Sequence, residues 1–597
     1  MQQPLVSILI PFKNTEEFLK ECLQSILNQT YAHWEVLAVN DHSEDSSKTI
    51  AQEFSQKDLW VQYNIADRNE NFNPSIKVLQ YYFDLPVVVN LLDVEIDVDG
   101  VLRPRGFVVE PDYLVDVTAV AECFKDFGAE PMLYLLKKYL PFTYSPPLMI
   151  GNIANFFLDE LMSNPELGFR EIFPKVFRLN PLAFSIFSDR DIREIMEKSQ
   201  KHFVHLKQMV LQTFAENDID VAHCFLEPSF YAEMYGIQGR LDVFYHNAES
   251  DQNPAIVELK SGKTYKPNKW GLNQNHYIQT MLYDLMIKAV FNNKLQPTNF
   301  ILYSGVDQKQ LRFAPVTKAQ QFEALNVRNQ LVAIEYAMAK GETRLLSRLS
   351  PKLLPSEKGF LFRDLSLFEK VYQVMTLLER KYFDTFSSFI AKEHRLAKTG
   401  VQGIEKINGL ASLWLNDFEE KRENYEILSH LQINSFNSDE AKPVIVFDKS
   451  DQTNPLANFR KGDIAVLYPF TRQTDTVLNN QIFKCSITEI DETTVTIQLR
   501  SHQFNTRLFE AANNWNLEHD LFDSSFTGMY RGLFQFAQFP DYKKDLLLTL
   551  SPPKQSEEII IAPPKELTQE QGAIFQKALT ASDYFLLWGP PGTGKTS

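Results

Sequence analysis

Two carboxylates and one amine are spaced so that they can meet on one face of a β-sheet. Two β-type runs, 240–245 and 255–259, are joined by a polar loop, which predicts a hairpin. Asp242 lies on the first run, and Glu258 and Lys260 lie two residues apart on the second. Side chains two apart on a strand share a face. Because carboxylate oxygens suit Mg²⁺ or Mn²⁺, the pattern predicts a metal site at Asp242 and Glu258.

The segment that follows adds a helix with two further polar side chains. Residues 275–290 have apolar residues at helical spacing and carry Gln279 and Tyr283 four apart, on one helix face. A metal at the two carboxylates lowers the pKa of a bound water and stabilises charge on a phosphodiester, while the lysine positions that water. The alternative interpretation is a solvated strand face with an incidental ion pair.

Three motifs in this stretch together resemble the RecB-like branch of the PD-(D/E)XK nucleases. The family pattern GxxD, ExK and QxxxY stands here as Gly239-Arg240-Leu241-Asp242, Glu258-Leu259-Lys260 and Gln279 to Tyr283. The resemblance implies that Asp242 and Glu258 bind Mg²⁺ or Mn²⁺, that Lys260 positions water, and that Gln279 and Tyr283 support the site. The expected reaction is hydrolysis of single-stranded or flap DNA, with RNA as an alternative substrate.

Residues 148–162 resemble the first motif of these nucleases, a helix that a glycine opens. Relatives often carry a histidine about four residues after that glycine, whereas here Gly151 is followed by Asn155. The departure leaves Glu160 as a candidate first ligand, against a solvated surface role. Glu227, ahead of the GRLD strand, is a further candidate for the lining of the site.

The region that opens at about residue 110 resembles the nuclease region of replication nuclease–helicases. In that family a cysteine near Cys123 joins three later cysteines in a 4Fe–4S cluster. Beyond Tyr283 this chain has only Cys485, so we expect no iron–sulfur cluster and a buried helical position for Cys123. His202 and His205 are expected to be ordinary helix residues.

The first 58 residues have a different pattern, strand–helix–strand followed by an acidic loop and a helix. This predicts a βαβ unit with loops at the carboxyl ends of its strands. The segment resembles the start of family-2 glycosyltransferases in residues 10–14 (IPFKN), 25–31 (SILNQTY) and 39–43 (VNDHS). The resemblance implies that Asp41 contacts the nucleotide of a sugar donor. The later pair Asp97 and Asp99 is read as a hairpin turn rather than a metal motif, so an inert remnant is expected and a nucleotide-sugar is not expected as a partner.

The last 32 residues contain a phosphate-binding loop. The run GPPGTGKT matches GxxxxGK[ST], so we expect a nucleotide site whose residues are Gly589, Gly592, Gly594, Lys595 and Thr596. Residues 584–588 are the predicted preceding strand, and LTQEQ resembles the helicase Q motif, in which Gln571 reads adenine. Later motor motifs are absent, so the ATP site is expected to be incomplete and inactive in hydrolysis.

The remaining chain predicts a helical connector and a small barrel. Residues 312–435 have helical apolar spacing, and 459–470, 481–491 and 493–500 read as successive strands, similar to the barrel of superfamily-1B helicases. The expected fold class is multidomain α/β and α+β, with a partial Rossmann-like βαβ unit, a PD-(D/E)XK nuclease core, a helical connector, a small β-barrel and an incomplete P-loop helicase domain. The expected domains are 1–58, 88–310, 311–435, 436–550 and 555–597.

Composition sets limits on location and partners. A formal charge of −16 argues against coating of nucleic acid through net charge, although a local basic channel remains compatible with it. The four cysteines are widely scattered, which suits reduced thiols in a cytoplasmic protein, and no apolar run is long enough to span a membrane. The main interpretation is a metal-dependent nuclease, and its rivals are a glycosyltransferase and a non-catalytic DNA-binding scaffold.

Overall fold

The chain combines mixed α/β layers with a small closed barrel. The computed structural model describes residues 6–28, 34–40, 43–57, 61–65, 83, 87–96, 102–250, 252–400, 409–438, 442–521, 523–554, 561–564 and 567–590. Asp41, Asp97, Asp99 and the loop residues Gly592, Gly594, Lys595 and Thr596 lie outside these ranges.

The N-terminal unit is a three-stranded parallel sheet with two crossover helices. Its elements are β1 (Val6–Phe12), α1 (Glu16–Leu27), β2 (Trp34–Asn40), α2 (Ser47–Lys57) and β3 (Val61–Ile65), with strand order β1-β2-β3. Helix α1 is amphipathic, and its Leu19 and Leu23 are buried in a core shared with Val36 and Ala38. Because the strands are parallel, their carboxyl ends and the loops that follow lie at one edge.

The central region contains most of the helices and a five-stranded sheet. Its first elements are β4 (Val89–Leu92), β5 (Glu95–Ile96), β6 (Leu102–Arg103), β7 (Gly106–Val109), β8 (Val115–Asp116), α3 (Val117–Ala121), β9 (Phe124–Lys125), β10 (Gly128–Ala129), α4 (Met132–Tyr139), α5 (Pro146–Ser163), α6 (Phe169–Val176), α7 (Pro181–Ser185), α8 (Asp189–Gln208), the π-helical turn Met209–Thr213 and α9 (Phe214–Glu216). There follow β11 (Cys224–Leu226), β12 (Ser229–Ala232), β13 (Ile237–Arg240), β14 (Val243–Tyr245), β15 (Ala255–Lys260), α10 (Gln274–Val290), β16 (Thr298–Tyr303), β17 (Leu311–Phe313) and α11 (Lys318–Ala339).

The five-stranded sheet is buried on both faces. Its order is β11-β14-β15-β16-β17, with β15 and β16 parallel and the other neighbours antiparallel. Neighbouring residues on a strand point to opposite faces, so Phe244 and Ile256 join one core with α10 and α11, while Val243 and Val257 join the other with α5 and α8. This three-layer arrangement fixes the strand ends that carry the polar residues.

A fully buried arginine ties α11 to the strands below it. Arg328 donates hydrogen bonds to the backbone carbonyl oxygens of Val109, Glu110 (2.8 Å), Tyr113 (2.7 Å) and Gly236 (3.0 Å). A Cβ on Gly236, which has a φ of +60°, would lie 2.3 Å from the Arg328 guanidinium. Glycine therefore permits both the backbone turn and the close approach.

The second half of the chain holds a helical layer and the barrel. The helices are α12 (Phe360–Val374), α13 (Leu377–Thr399), α14 (Ser412–Leu415) and α15 (Phe418–Glu423). The barrel elements are β18 (Ile427–Asn437), β19 (Val444–Asp448), β20 (Ile464–Pro469), β21 (Phe483–Ile490), β22 (Thr494–Leu499), α16 (Arg507–Ala511) and β23 (Trp515–His519), closed in the order β18-β19-β22-β21-β20-β23. Strand β18 begins inside the predicted helical connector, because its pairing with β19 and β23 stabilises extended backbone there.

The barrel docks directly on the central region. The Ile482 N–H donates to the Ser229 carbonyl oxygen (3.0 Å), and the Tyr231 hydroxyl donates to Asp520 Oδ1 (2.9 Å). An apolar cluster crosses the same contact and includes Leu114 and Tyr231 on one side and Val466 and Ile482 on the other. Apolar burial and polar bonds therefore fix the barrel beside strand β12.

The described C-terminal part contains α17 (Ser524–Ala537), α18 (Asp541–Leu547) and α19 (Gln569–Thr580). The predicted strand 584–588 is wrong: these residues have no regular structure, and Leu586 and Trp588 are 83% and 89% exposed. A strand needs paired neighbours, and the described residues supply none to this segment. In the described ranges, no helix is both long and apolar enough to cross a bilayer.

Candidate functional site

Asp242 lies in a break between two strands and joins them to a third. The run 240–245 was predicted as one strand, but β13 ends at Arg240 and β14 begins at Val243. At the break Leu241 N–H donates to the Pro228 carbonyl oxygen (3.1 Å), but proline has no N–H to return the bond, so the ladder is interrupted there. Asp242 Oδ2 then accepts a hydrogen bond from Leu259 N–H (2.6 Å), which holds its carboxylate beside β15.

Strand β15 brings Glu258 and Lys260 to the same point. Lys260 Nζ donates to Glu258 Oε1 (2.7 Å) and to Gln279 Oε1 (3.0 Å) on helix α10. Glu258 is only 3% exposed, and its Oε2 accepts no hydrogen bond from an N–H or O–H donor of the described residues, while the Asp242 carboxylate lies within hydrogen-bonding range of the Glu258 side chain. A buried carboxylate oxygen without a donor is costly, so this atom is a natural place for a ligand.

The helix residues complete a chain of hydrogen bonds back to the first strand. Gln279 Nε2 donates to the Tyr283 hydroxyl (3.0 Å), which in turn donates to the Arg240 carbonyl oxygen (2.8 Å). Both side chains are buried. A Cβ on Gly239 would lie 2.9 Å from Tyr283 Cε1, so the glycine of the GRLD run makes room for this ring.

Two more carboxylates belong to this cluster, and one predicted residue does not. Asp159 on α5 lies close enough to Glu227 and Asp242 for their charges to act on it. Burial is the main effect that raises the pKa of Asp159, and these two carboxylates raise it further. Glu227 has a φ of +49°, and its Oε2 atom lies 3.1 Å from Arg240 Nη1. Glu160, the earlier candidate ligand, is instead paired with Lys175 (2.8 Å). Helix α5 turns Asp159 inward, whereas Glu160 faces away.

The electrostatics of the cluster leave a deficit of positive charge. Burial and the Asp242 carboxylate raise the pKa of Glu258 to about 8, against the lowering effect of Lys260. Burial also raises the pKa of Asp242, although Lys260 and the Leu259 N–H oppose it. Burial lowers the pKa of Lys260, but the two carboxylates more than offset this. A cation beside these carboxylates relieves the repulsion.

The donor set fits a hydrated divalent cation rather than a closed metal site. Within the described ranges, no three His, Cys, Asp or Glu side chains are placed to hold a metal ion together. Mg²⁺ commonly keeps several waters and takes only one or two carboxylates from the protein. Asp242 and Glu258, whose Oε2 accepts no hydrogen bond from a donor of the described residues, meet that requirement.

The nearby histidines and the cysteines have structural surroundings. His202 Nδ1 lies 2.9 Å from Ser304 Oγ, and His205 Nδ1 lies 2.8 Å from the Ser304 carbonyl oxygen. Cys123 is buried, and burial raises the pKa of its thiol to about 12. Cys22, Cys123, Cys224 and Cys485 are all free thiols.

A second candidate site lies at the carboxyl edge of the N-terminal sheet. The loop after β1 and the loop after β2 are joined by hydrogen bonds from Glu44 N–H to Asn14 Oδ1 (2.8 Å), from Asn14 N–H to Ser43 Oγ (3.1 Å) and from Glu16 N–H to Asp45 Oδ2 (3.0 Å). Partial burial acts to raise the pKa of Asp45, but hydrogen bonds from the Ser47 hydroxyl and from backbone N–H groups outweigh it, so the pKa of Asp45 lies below its ordinary value. Asp41 lies outside the described residues, between Asn40 and Ser43 in the sequence.

The predicted ATP site is described only in part. Gln571 is the third residue of α19, and it forms reciprocal hydrogen bonds with the helix-capping Thr568 (2.9 and 3.3 Å). Gly589 is described, whereas Gly592, Gly594, Lys595 and Thr596 lie outside the described ranges. ATP binding by this segment stays a prediction.

Comparison with known proteins gives matches in the N-terminal segment. The model of glycosyl transferase family 2 matches residues 7–79. The uncharacterized glycosyltransferase EpsJ of Bacillus subtilis (strain 168) is 44% identical over 58 residues, which is 10% of this chain and 17% of EpsJ. The glycosyltransferase GlyA of Streptococcus pneumoniae serotype 4 is 41% identical over 58 residues, 10% of this chain and 8% of GlyA. This chain thus spans less than a fifth of these curated relatives.

A solved structure adds a distant match. The crystal structure of S. aureus TarS covers 83% of this chain and 72% of its own, with 9% identity and a TM-score of 0.14. At that score the two folds are not alike in detail.

These matches correct the main sequence-based interpretation. The assignment to a DNA nuclease of replication or repair with a helicase motor is wrong, because the matching family and the curated relatives are glycosyltransferases. The expected partners, single-stranded or flap DNA and RNA, are wrong for the same reason. The expectation that excluded a nucleotide-sugar is overturned, whereas the resemblance of the first 58 residues to family-2 glycosyltransferases is supported.

Proposed function

We propose that this chain is a glycosyltransferase that takes a nucleotide-sugar donor at its N-terminal unit. The observation that carries the proposal is the agreement between the family match over residues 7–79 and the βαβ unit found there. In such units ligands bind at the carboxyl ends of the strands. The hydrogen-bonded loops around Asn14 and Ser43 form that edge here.

Within this proposal, Asp41 contacts the base or ribose of the donor and Mg²⁺ or Mn²⁺ neutralises its diphosphate. A carboxylate accepts hydrogen bonds from ribose hydroxyls or base N–H groups, and such charge-assisted bonds are strong. A divalent cation bound with the donor would supply positive charge beside the leaving nucleoside diphosphate. A cytoplasmic location is part of the proposal, supported by the four free thiols.

The test is release of nucleoside diphosphate by the full chain. The purified protein is incubated with UDP-glucose, UDP-N-acetylglucosamine or GDP-mannose and Mn²⁺, and UDP binding is measured by calorimetry. We expect Asp41→Asn to weaken UDP binding about 10–100-fold, the loss of a charged hydrogen bond. The exposed Glu17 on α1 provides the matched control, Glu17→Gln, which should bind UDP normally. If the parent chain neither binds these nucleotides nor releases UDP or GDP, the proposal is wrong.

A second candidate function is divalent-cation binding at Asp242 and Glu258. The specific observation is the buried Glu258 Oε2, which accepts no hydrogen bond from an N–H or O–H donor in the described part of the chain. Lys260, held by Glu258 and Gln279, lies where it can orient a cation-bound water. The N-terminal unit and this cluster have separate hydrophobic cores, so the two proposals stand independently.

Mn²⁺ binding without nucleotide tests the second candidate. Electron paramagnetic resonance of the full chain should show bound Mn²⁺ that is lost in Asp242→Asn and Glu258→Gln. Two controls should retain it: Asp41→Asn, in the N-terminal unit, and Glu160→Gln, whose carboxylate is paired with Lys175. Equal Mn²⁺ binding by the parent and both cluster variants would refute the site.

A further inference from the structure

The outer side of helix α12 carries an exposed row of apolar side chains. Phe360, Leu367 and Val374 are spaced seven apart, which is about two helical turns, so they lie along one line of the helix. They are 79%, 39% and 70% exposed, while the opposite side of α12 packs into the helical core through Leu365 and Phe368. Single exposed apolar residues are ordinary, but a continuous row of them marks an interaction surface.

The apolar row continues around the corner into helix α13. Leu377 and Leu378 are 88% and 45% exposed and begin that helix. Thr376 and Glu379 cap the start of α13 with reciprocal hydrogen bonds (2.8 and 3.3 Å), and Glu379 is also paired with Lys544 of α18 (2.8 Å). The two leucines therefore hold a defined position beside the end of α12.

A row of cations runs beside the apolar row. Arg363 and Lys370 are also seven apart, and both are exposed on the outer side of α12. The guanidinium carbon of Arg363 lies 4.5 Å from the centre of the Phe360 ring, so the two rows are in contact. The two carboxylates of α12, Asp364 and Glu369, are half-buried, and Asp364 offsets part of the Arg363 charge. The exposed charges of this helix are thus positive.

These features favour one occupant, an anionic lipid surface. A helix lies in a bilayer interface by inserting its apolar side chains while Lys and Arg contact anionic headgroups. The outer side of α12 supplies both kinds of group, and it is locally cationic although the chain has a formal charge of −16. The α12 face is defined here by its apolar residues and its cations: Phe360, Leu367, Val374, Leu377, Arg363 and Lys370.

A second copy of the chain is a poorer fit to the α12 face. In a two-fold dimer the same patch meets itself, so Arg363 and Lys370 of one copy would approach the same cations of the other. Like charges brought together across an interface weaken association. Anionic headgroups instead attract both cations.

We propose that the α12 face binds the surface of an anionic lipid bilayer. Helix α12, about 22 Å long, lies in the plane of the membrane, with Phe360, Val374 and Leu377 inserted below the headgroups and Arg363 and Lys370 at the headgroup phosphates. The inference goes beyond the proposed glycosyltransferase function and uses none of residues 6–65.

The test is sedimentation of the full chain with lipid vesicles. We expect binding to phosphatidylcholine vesicles that contain about 30% phosphatidylglycerol, little binding to pure phosphatidylcholine, and weaker binding at high salt. The double variant Arg363→Gln and Lys370→Gln should bind about 20- to 30-fold more weakly, about fivefold for each cation. Leu377→Ser should bind about tenfold more weakly because apolar burial is lost. The matched controls, Arg190→Gln and Leu182→Ser, alter exposed residues of α8 and α7 and should bind as the parent does.

A tryptophan reporter locates the contact. With phosphatidylglycerol vesicles that carry brominated lipid chains, the added fluorescence of Leu377→Trp should be quenched and that of Leu182→Trp should not, each measured against the six tryptophans of the parent. Both positions are exposed, so these variants should melt at the temperature of the parent. A parent that does not bind the anionic vesicles, binding that the α12 variants leave unchanged, or quenching of Leu182→Trp alone overturns the proposal. Dimerisation that Leu377→Ser abolishes, without vesicle binding, also overturns it and assigns the face to a second copy.

Discussion

Replacing the buried Arg328 with methionine should strongly destabilise the central region. The guanidinium donates to four backbone carbonyl oxygens, those of Val109, Glu110, Tyr113 and Gly236. Hydrogen bonds from a charged donor contribute about 1.5–3 kcal/mol each, which gives about 6–12 kcal/mol for four. Methionine keeps the apolar bulk of the side chain but donates none of these four bonds, so the carbonyl oxygens of Glu110 and Gly236 keep only the Tyr113 and Val115 N–H donors.

An opposing effect must be subtracted. Burial lowers the pKa of Arg328 from 12.5 to about 9, which means that its surroundings disfavour the charge by about 5 kcal/mol. Methionine escapes this cost, so the expected net loss is about 4 kcal/mol. That loss is a large part of the free energy of unfolding of a typical domain.

Hydrogen exchange is the suitable assay because a multidomain chain does not unfold in one step. Val115 N–H donates to the Gly236 carbonyl oxygen (3.0 Å), so its exchange reports on this junction. We expect its protection to fall by about 10³-fold in Arg328→Met, the equivalent of about 4 kcal/mol. Arg312→Met is the control, because Arg312 is only half-buried. A loss below about 1 kcal/mol would show that the four bonds are replaced by water, and would refute the reasoning.

Two further predictions concern single residues. Burial and the neighbouring His205 lower the pKa of His202 from 6.5 to about 4, so the free energy of unfolding should fall by up to about 3 kcal/mol as the pH drops from 6.5 to 4. In denaturant titrations His202→Gln should lose less free energy of unfolding between pH 7 and pH 4 than the parent, and an equal loss would count against this assignment. Gly239→Ala should lower the melting temperature by crowding the Tyr283 ring, at a cost of about 1–3 kcal/mol in the free energy of unfolding. In a Tyr283→Leu background the same alanine should change the free energy of unfolding very little, and additive losses in the double variant would contradict the contact.

Local spacing in the sequence predicted the polar contacts that depend on one or two elements. Glu258 and Lys260, two apart on a strand, form the ion pair that a shared face implies. Gln279 and Tyr283, four apart on a helix, are hydrogen bonded. In both cases the repeat of the element alone places the side chains together.

Contacts between distant elements could not be predicted in this way. Asp159 joins the carboxylate cluster because α5 packs Gly151 near Ser261, where an added Cβ would lie 3.3 Å from the serine hydroxyl. Nothing in the helix repeat separates Asp159 from Glu160. Strand β18 likewise reads as part of a helical stretch until its partners β19 and β23 are known. Tertiary pairing overrides local preference there.

The contact between barrel and central region has a consequence for the chain during its synthesis. Tyr231 is buried by partners that include Ile482, which is made 251 residues later. At about 5–20 residues per second, the ribosome needs roughly 10–50 s to close that interval. Throughout this time the edge of β12 and the apolar ring of Tyr231 face water, and an uncovered strand edge is a template for pairing with other chains. We therefore expect slow codons between residues 231 and 482 to increase aggregation of the nascent chain, because they prolong the exposure of this edge.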